Sequence, residues 1–349
     1  MAVRRKGPPR RRGRTALPTQ YVFMATLFGF ALISKSFHLL AIRTTATRET
    51  ITSLPSLPLM PVSLVKDASP NRRRRRLPSF ENGGIVFFLH IAKTGGVTIR
   101  NNFAALPNVR MERCRGDTKW RVLKPQIDQI LTRNTTYTVD AAKALFIEFH
   151  GNVPGLISLH PLLEQWRELA DRHQTSFFSF TLVREPVAFY ASYFNFFWTD
   201  YCKVYCHRPV KAATQENLIA TAVPNHQTLY LARDLHDKVF PVNASEYALA
   251  KALLRDFDWM GTTENMQTTT LPLLSYMLGH EWTSEMPAHN KLSTDPSSSS
   301  RGRLLSKRNL TAATTQKIQQ LASFDVDLYE TVQRDYSLSM WEDLPPAAK

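Results

Sequence analysis

The sequence predicts an α/β fold, a parallel sheet flanked by helices, and three observations carry that expectation. Three short runs, Ile85–Leu89, Ala144–Phe149 and Phe177–Val183, are almost continuously apolar and rich in β-favouring residues. Strands covered on both faces look like this, whereas strands with one wet face alternate. Each run ends in Gly, Pro or polar turn residues, and a helix-compatible segment follows, as crossover connections between parallel strands require. With 43% hydrophobic residues in a chain of 349, a sizeable core is within reach.

The chain begins differently. Arg4, Arg5, Lys6, Arg10, Arg11, Arg12 and Arg14 precede an apolar stretch from Tyr21 to Ile42, broken by Lys35 and His38. About twenty residues cross the roughly 30 Å hydrocarbon core, and Lys35 is close enough to the end to snorkel. The expected organisation is a basic cytoplasmic tail over 1–20, a transmembrane signal anchor over 21–42, a disordered stem over 43–82 rich in Thr, Ser and Pro, and one folded domain over 83–340. A cleaved signal peptide and an organellar transit peptide compete with the anchor, since no acidic residue precedes Glu49. Sequons at Asn134, Asn243 and Asn309 agree with a luminal domain.

Charge sharpens this division. The formal net charge is +15, but residues 1–76 hold 16 of the 44 Lys and Arg and two of the 29 acidic residues, leaving 28 basic against 27 acidic groups beyond them. A nearly neutral folded part argues against nucleic acid as a partner. Cys114, Cys202 and Cys206 lack the spacing of a zinc site, so no metal is indicated. Cys202 and Cys206 are near enough in sequence to pair in an oxidising compartment or to remain free thiols in a reducing one.

The run Ile85–Leu89 leads directly into His90-Ile91-Ala92-Lys93-Thr94-Gly95-Gly96-Val97-Thr98, and a helix can begin at Val97. A strand, a glycine turn and a helix N-terminus make an anion site: glycines admit the anion to the backbone, free N–H groups point at it, and Lys93 adds a full charge. A Walker A loop needs its Lys after the glycines, whereas Lys93 precedes them. The run Phe177–Val183 ends in Arg184-Glu185-Pro186, and Pro186 suits the first turn of a helix continuing through Tyr190, Ser192 and Phe194. Arg184 thus stands at a strand end with Ser192 eight residues on, about two turns into the helix. A guanidinium suits phosphate because its planar fork donates to two oxygens at once.

The segment from His90 to Thr98 resembles the 5'-phosphosulfate loop of the Golgi-type glycan sulfotransferases, the heparan sulfate 2-O and 6-O branch, matching H-I-x-K-T-G-G-x-[ST] at almost every position. Arg184 and Ser192 resemble that family's 3'-phosphate site. Trp259–Glu264 with the apolar helix after it, and Leu321–Tyr329, resemble its later elements, so the similarity spans 85–336. The resemblance implies a P-loop-like sheet in a single sulfotransferase domain. It implies 3'-phosphoadenosine 5'-phosphosulfate as co-substrate, held by Lys93, Thr94, Gly95, Gly96, Val97, Thr98, Arg184 and Ser192, without a metal. It further implies a glycan acceptor and a single-pass type II Golgi membrane protein with a luminal catalytic domain.

Between the two motifs, Ala144–Phe149 ends in His150-Gly151-Asn152. In related enzymes a His placed here is the catalytic base, which makes His150 the candidate. Imidazole titrates near the operating pH, as a base for a sugar hydroxyl must. The 2-O pattern has His-Gly-His, and Asn152 departs from it. His160 and His173 are fall-back candidates on or beyond an expected helix over Leu156–Asp171. Thr263 and Glu264 either border the nucleotide or cap the next helix. Arg110, Arg113, Arg115, Lys119, Arg121 and Lys124 form a basic stretch able to receive an anionic polysaccharide or to serve as a solvated face. Two other functions compete: a nucleotide-dependent phosphotransferase, lacking an evident magnesium-binding Asp after a strand, and a membrane-tethered glycan-binding protein without turnover.

Overall fold

The computed structural model describes residues 76–114, 116–132, 144–150, 155–199, 211–233, 241–280, 305–341 and 344. The expected anchor over 21–42, Cys202 and Cys206, the sequon at Asn134, and Gly151 with Asn152 lie outside them. No described helix is long and apolar enough to cross a membrane.

In chain order the elements are β1 (Gly84–His90), α1 (Gly96–Phe103), β2 (Val109–Cys114), α2 (Gly116–Leu131), β3 (Ala144–His150), α3 (Leu156–His173), β4 (Phe177–Val183), α4 (Pro186–Phe197), α5 (Gln215–Thr221), α6 (His226–Ala232), α7 (Ala244–Leu253), β5 (Trp259–Thr262), α8 (Thr270–Met277), α9 (Ala312–Leu321) and α10 (Ser323–Asp335). The five strands form one parallel sheet in the order β2-β3-β1-β4-β5. The α/β class is therefore as expected, and β1, β3 and β4 occupy its centre.

Those three strands are the apolar runs of the sequence, and β1 and β4 are buried along their whole length. Parallel register puts Phe87 beside Ile147 and Phe88 beside Glu148, so odd and even positions of β1 face opposite layers. On one side Phe87 packs against Phe149 at 4.5 Å and Trp166 of α3 at 5.8 Å, and Trp120 of α2 closes on both Phe149 and Trp166. On the other Phe88 stacks on Phe180 at 4.5 Å, and Phe146 meets Phe103 of α1. Each fully buried ring stabilises the fold by about 2–3 kcal/mol. Packing also reaches back before residue 83: Phe80, within the segment read as stem, is in the core.

β2 was hidden in the sequence by its charges. Val109–Cys114 buries fully at its two ends alone, as suits an edge strand, and its polar positions are paired. Arg110 and Lys119 both contact Glu112, Arg113 contacts Glu148, and Lys124 contacts Asp128. Most of the basic stretch is thus engaged in ion pairs within the domain.

Candidate active site

Strand order fixes where a site belongs. The connection leaving β1 runs towards β2 on one side, and the connection leaving β4 runs towards β5 on the other. The carboxyl ends of β1 and β4 therefore flank a switch point, where open α/β sheets bind their ligands. Lys93 follows β1 and Arg184 follows β4, and Arg184 Nη1 donates to the Lys93 carbonyl at 3.2 Å. His150 ends β3 on the other flank of β1, opposite His90 in register. Three candidates far apart in sequence occupy three adjacent strand ends.

The turn after β1 is built by left-handed backbone. Lys93 has φ +70° and Gly95 φ +98°, and Gly95 enters α1 with no side chain capping the helix. A helix that starts without a side-chain cap presents the positive end of its dipole. Thr94 is buried and its hydroxyl donates to the Ile91 carbonyl at 2.7 Å, closing the turn internally. Gly96 is required by its neighbour: a Cβ there would overlap Cε1, Nε2 and Nδ1 of His90. Val97 and Thr98 continue the first turn of α1, with Thr98 buried. The Lys93 ammonium lies 4.0 Å from the centroid of Phe196 in α4. Burial and then the nearby Arg184 pull its pKa down to about 8.

Arg184 is held by its backbone, and its head group is engaged only in part. Gln227 of α6 accepts from Arg184 N and donates to Arg184 O, both at 2.8 Å. Gln227 is itself fixed because buried Asp325 of α10 accepts from the backbone of Gln227 and Thr228. Among the described residues Arg184 Nε is buried without a hydrogen-bond acceptor, and Glu264 stands 4.0 Å from it. A buried guanidinium nitrogen in that state costs about 1–3 kcal/mol until an acceptor arrives. Ser192 lies half-buried on α4, two turns in from Pro186. Glu264 accepts from Glu185 N at 3.3 Å, and α8 begins only at Thr270, so Glu264 braces the Arg184 turn and is not the cap of the next helix.

His150 is half-buried, and its ring meets that of His90 edge-on with centroids 4.4 Å apart. His160 pairs with Asp256 and Glu164, and His173 ends α3, the helix that leads to the amino end of β4. Sequence reasoning missed Glu148, Gln227, Phe196 and Asp325. Glu148 was findable, because a charge within an apolar strand run must be paired if it is buried.

Two groups of ligand-type side chains converge among the described residues, His90 with Glu148 and His150, and His160 with Glu164 and Asp256, each with ligand atoms within 4.8 Å of one another. In the first, Arg100 and Arg113 already face Glu148 at 3.2 and 3.4 Å and would repel a cation. The second lies on α3 and the turn after α7. A cavity of about 430 Å³, lined in part by Arg76, Arg167, Ser176, Asp258 and Trp341, opens at the amino ends of the strands, away from Lys93 and Arg184. Neither a protein-family profile nor a curated protein sequence matches this chain.

Proposed function

We propose that this chain is a carbohydrate O-sulfotransferase that uses 3'-phosphoadenosine 5'-phosphosulfate, anchored as a single-pass type II protein in the Golgi membrane with its catalytic domain in the lumen. The observation that carries this is the meeting of Lys93 and Arg184 at the switch point, joined at 3.2 Å, with His150 on the next strand end. The unsatisfied Arg184 Nε and the uncapped start of α1 fit a doubly phosphorylated anion. In-line transfer forms a bond between the acceptor oxygen and sulfur and breaks the bond between sulfur and the 5'-phosphate oxygen. His150 takes the hydroxyl proton. Lys93 and the Thr94-to-Thr98 backbone offset the charge left on the departing phosphate, and Arg184 with Ser192 hold the 3'-phosphate. Positioning and electrostatics supply most of the acceleration, as in phosphoryl transfer. The acceptor is a glycan. An anionic one has less support than the sequence suggested, since Arg110, Arg113, Lys119 and Lys124 have carboxylate partners within the domain.

The test incubates the full-length protein in detergent with sulfur-labelled donor and a panel of glycans, with labelled ATP in a parallel arm. Transfer of labelled sulfate is the expected outcome. Transfer from ATP would establish the phosphotransferase, and glycan binding without transfer would establish the inactive binding protein. Arg184→Ala is expected to weaken donor binding by about 10–100-fold. His150→Ala is expected to abolish turnover with donor binding retained, and near-normal rates in it would remove His150 from the role of base.

A further inference from the structure

Two residues before the candidate base stands a carboxylate that the proposed reaction does not use. Glu148 is 0% exposed within a strand that is otherwise apolar up to His150. Its oxygens are fully engaged: His90 Nδ1 of β1 lies 2.7 Å from Oε1, while Arg100 of α1 and Arg113 of β2 lie 3.2 and 3.4 Å from Oε2. Burying such a group costs several kcal/mol in desolvation, and a well-packed apolar residue would be at least as stable there. Stability alone does not account for it.

The ring of His90 shows what the arrangement achieves. A carboxylate only accepts, so Nδ1 carries the proton and the tautomer is set. The ring stacks on Phe88 at 5.2 Å and 20°, and the Gly96 Cα lies against it with no room for a side chain. It is thereby clamped on a hydrogen bond, a stacked face and a helix backbone. What it offers in return is its contact with His150, edge-on at 4.4 Å and 72°.

We propose that His90 and Glu148 are positioning residues for His150. Glu148 locks the His90 ring, the ring fixes the orientation of the His150 imidazole, and the Glu148 carboxylate offsets the Arg100 and Arg113 charges that would otherwise oppose protonation of His150. The role rests on His150 being the base. Among the described residues the charged and titratable groups around the pair are His90 on β1, Arg100 on α1, Arg113 on β2, and Glu148 and His150 on β3. Burial alone would raise the Glu148 carboxyl, but the hydrogen bond from His90 and the charges of Arg113 and Arg100 hold it well below the ordinary carboxylate range, so it stays ionised. Burial is the largest influence on His90 and lowers its pKa against the raising effect of Glu148.

Diethyl pyrocarbonate acylates neutral imidazole, so its rate at the His150 peptide, followed by mass spectrometry against pH in the full-length protein, reads the basicity and exposure of His150 without donor or acceptor. In Glu148→Gln the midpoint is expected to fall by about one pH unit, because the carboxylate facing Arg100 and Arg113 is lost, whereas Glu148→Asp keeps it within a few tenths. His90→Asn retains an amide to face Glu148 but removes the ring, and the plateau rate at His150 is expected to rise severalfold. Thermal melting establishes that each variant is folded, and if Glu148→Gln is not, His90→Asn decides. An unchanged midpoint and plateau in the folded variants overturn the proposal. Shifted profiles in a protein that transfers sulfate to no acceptor would leave the pair standing and remove the sulfotransferase. Normal transfer with unshifted profiles would do the reverse.

Discussion

The two ends of the central sheet share the same strands and differ in what their polar groups are free to do. At the amino end, Arg167 donates to the Asp256 carbonyl at 2.6 Å and faces Asp258 at 3.3 Å, and Asp258 in turn accepts from Ser179 N at 2.8 Å. Those groups satisfy one another beside the cavity at that end. At the carboxyl end Lys93 and Arg184 repel each other, Arg184 Nε has no acceptor among the described residues, and α1 starts without a side-chain cap. On the proposed function the close Lys93 and Arg184 charges would receive an anion, whereas the Arg167–Asp258 pair beside the cavity is already closed. The proposed site is therefore argued from convergent charge and not from the cavity.

Breaking the carboxyl end should have the largest effect. Lys93→Ala is expected to lower the transfer rate by about 10³-fold, as loss of one stabilising charge at a departing anion does elsewhere. The pH profile sharpens this. Because Lys93 in the free protein sits at about 8, binding a phosphate group above that pH must take up a proton. Donor affinity measured by equilibrium dialysis is then expected to fall as pH rises through 8, approaching tenfold per unit, and Lys93→Ala is expected to lack that limb. A flat wild-type profile between pH 7 and 9.5 would show that the ammonium is not a donor contact.

Gly96→Ala tests the packing beneath the same loop. The new methyl meets the His90 ring and is expected to destabilise the protein by about 1–3 kcal/mol. The loss should shrink in a His90→Asn background, a coupling that paired melting curves would reveal. Arg167→Ala, at the amino end, is expected to lower stability by about 1 kcal/mol and to leave donor affinity and transfer unaltered. If Arg167→Ala impaired donor binding as much as Arg184→Ala, the contrast between the two ends would collapse.

Much of this architecture was legible because central parallel strands carry their evidence locally. Phe177–Val183 is bounded as expected, and Ile85–Leu89 and Ala144–Phe149 extend by one or two residues into β1 and β3. Pro186 stands in the first turn of α4, where its missing N–H costs nothing. β2 was not legible, because an edge strand needs little apolar surface and its Arg110, Glu112 and Arg113 read equally well as a solvated face. Glu148 offered a faint signal, a lone charge in an apolar run. Gln227 and Asp325 offered none, because a buried Gln gripping a backbone amide and carbonyl 43 residues earlier leaves no local pattern.

The sequence by itself determined the α/β class, the three core strands, and the loop and turn that carry Lys93 and Arg184, since hydrophobic periodicity and turn chemistry act over a few residues. Tertiary structure decided that β1 lies between β3 and β4, which sets the ends of three remote segments side by side. It decided that Gly96 serves the His90 ring as well as the helix start, and that the basic stretch along β2 and α2 is largely spent on Glu112, Asp128 and Glu148. Each of these depends on which side chains meet across strands, and strand order leaves no mark on the local sequence of any one of them.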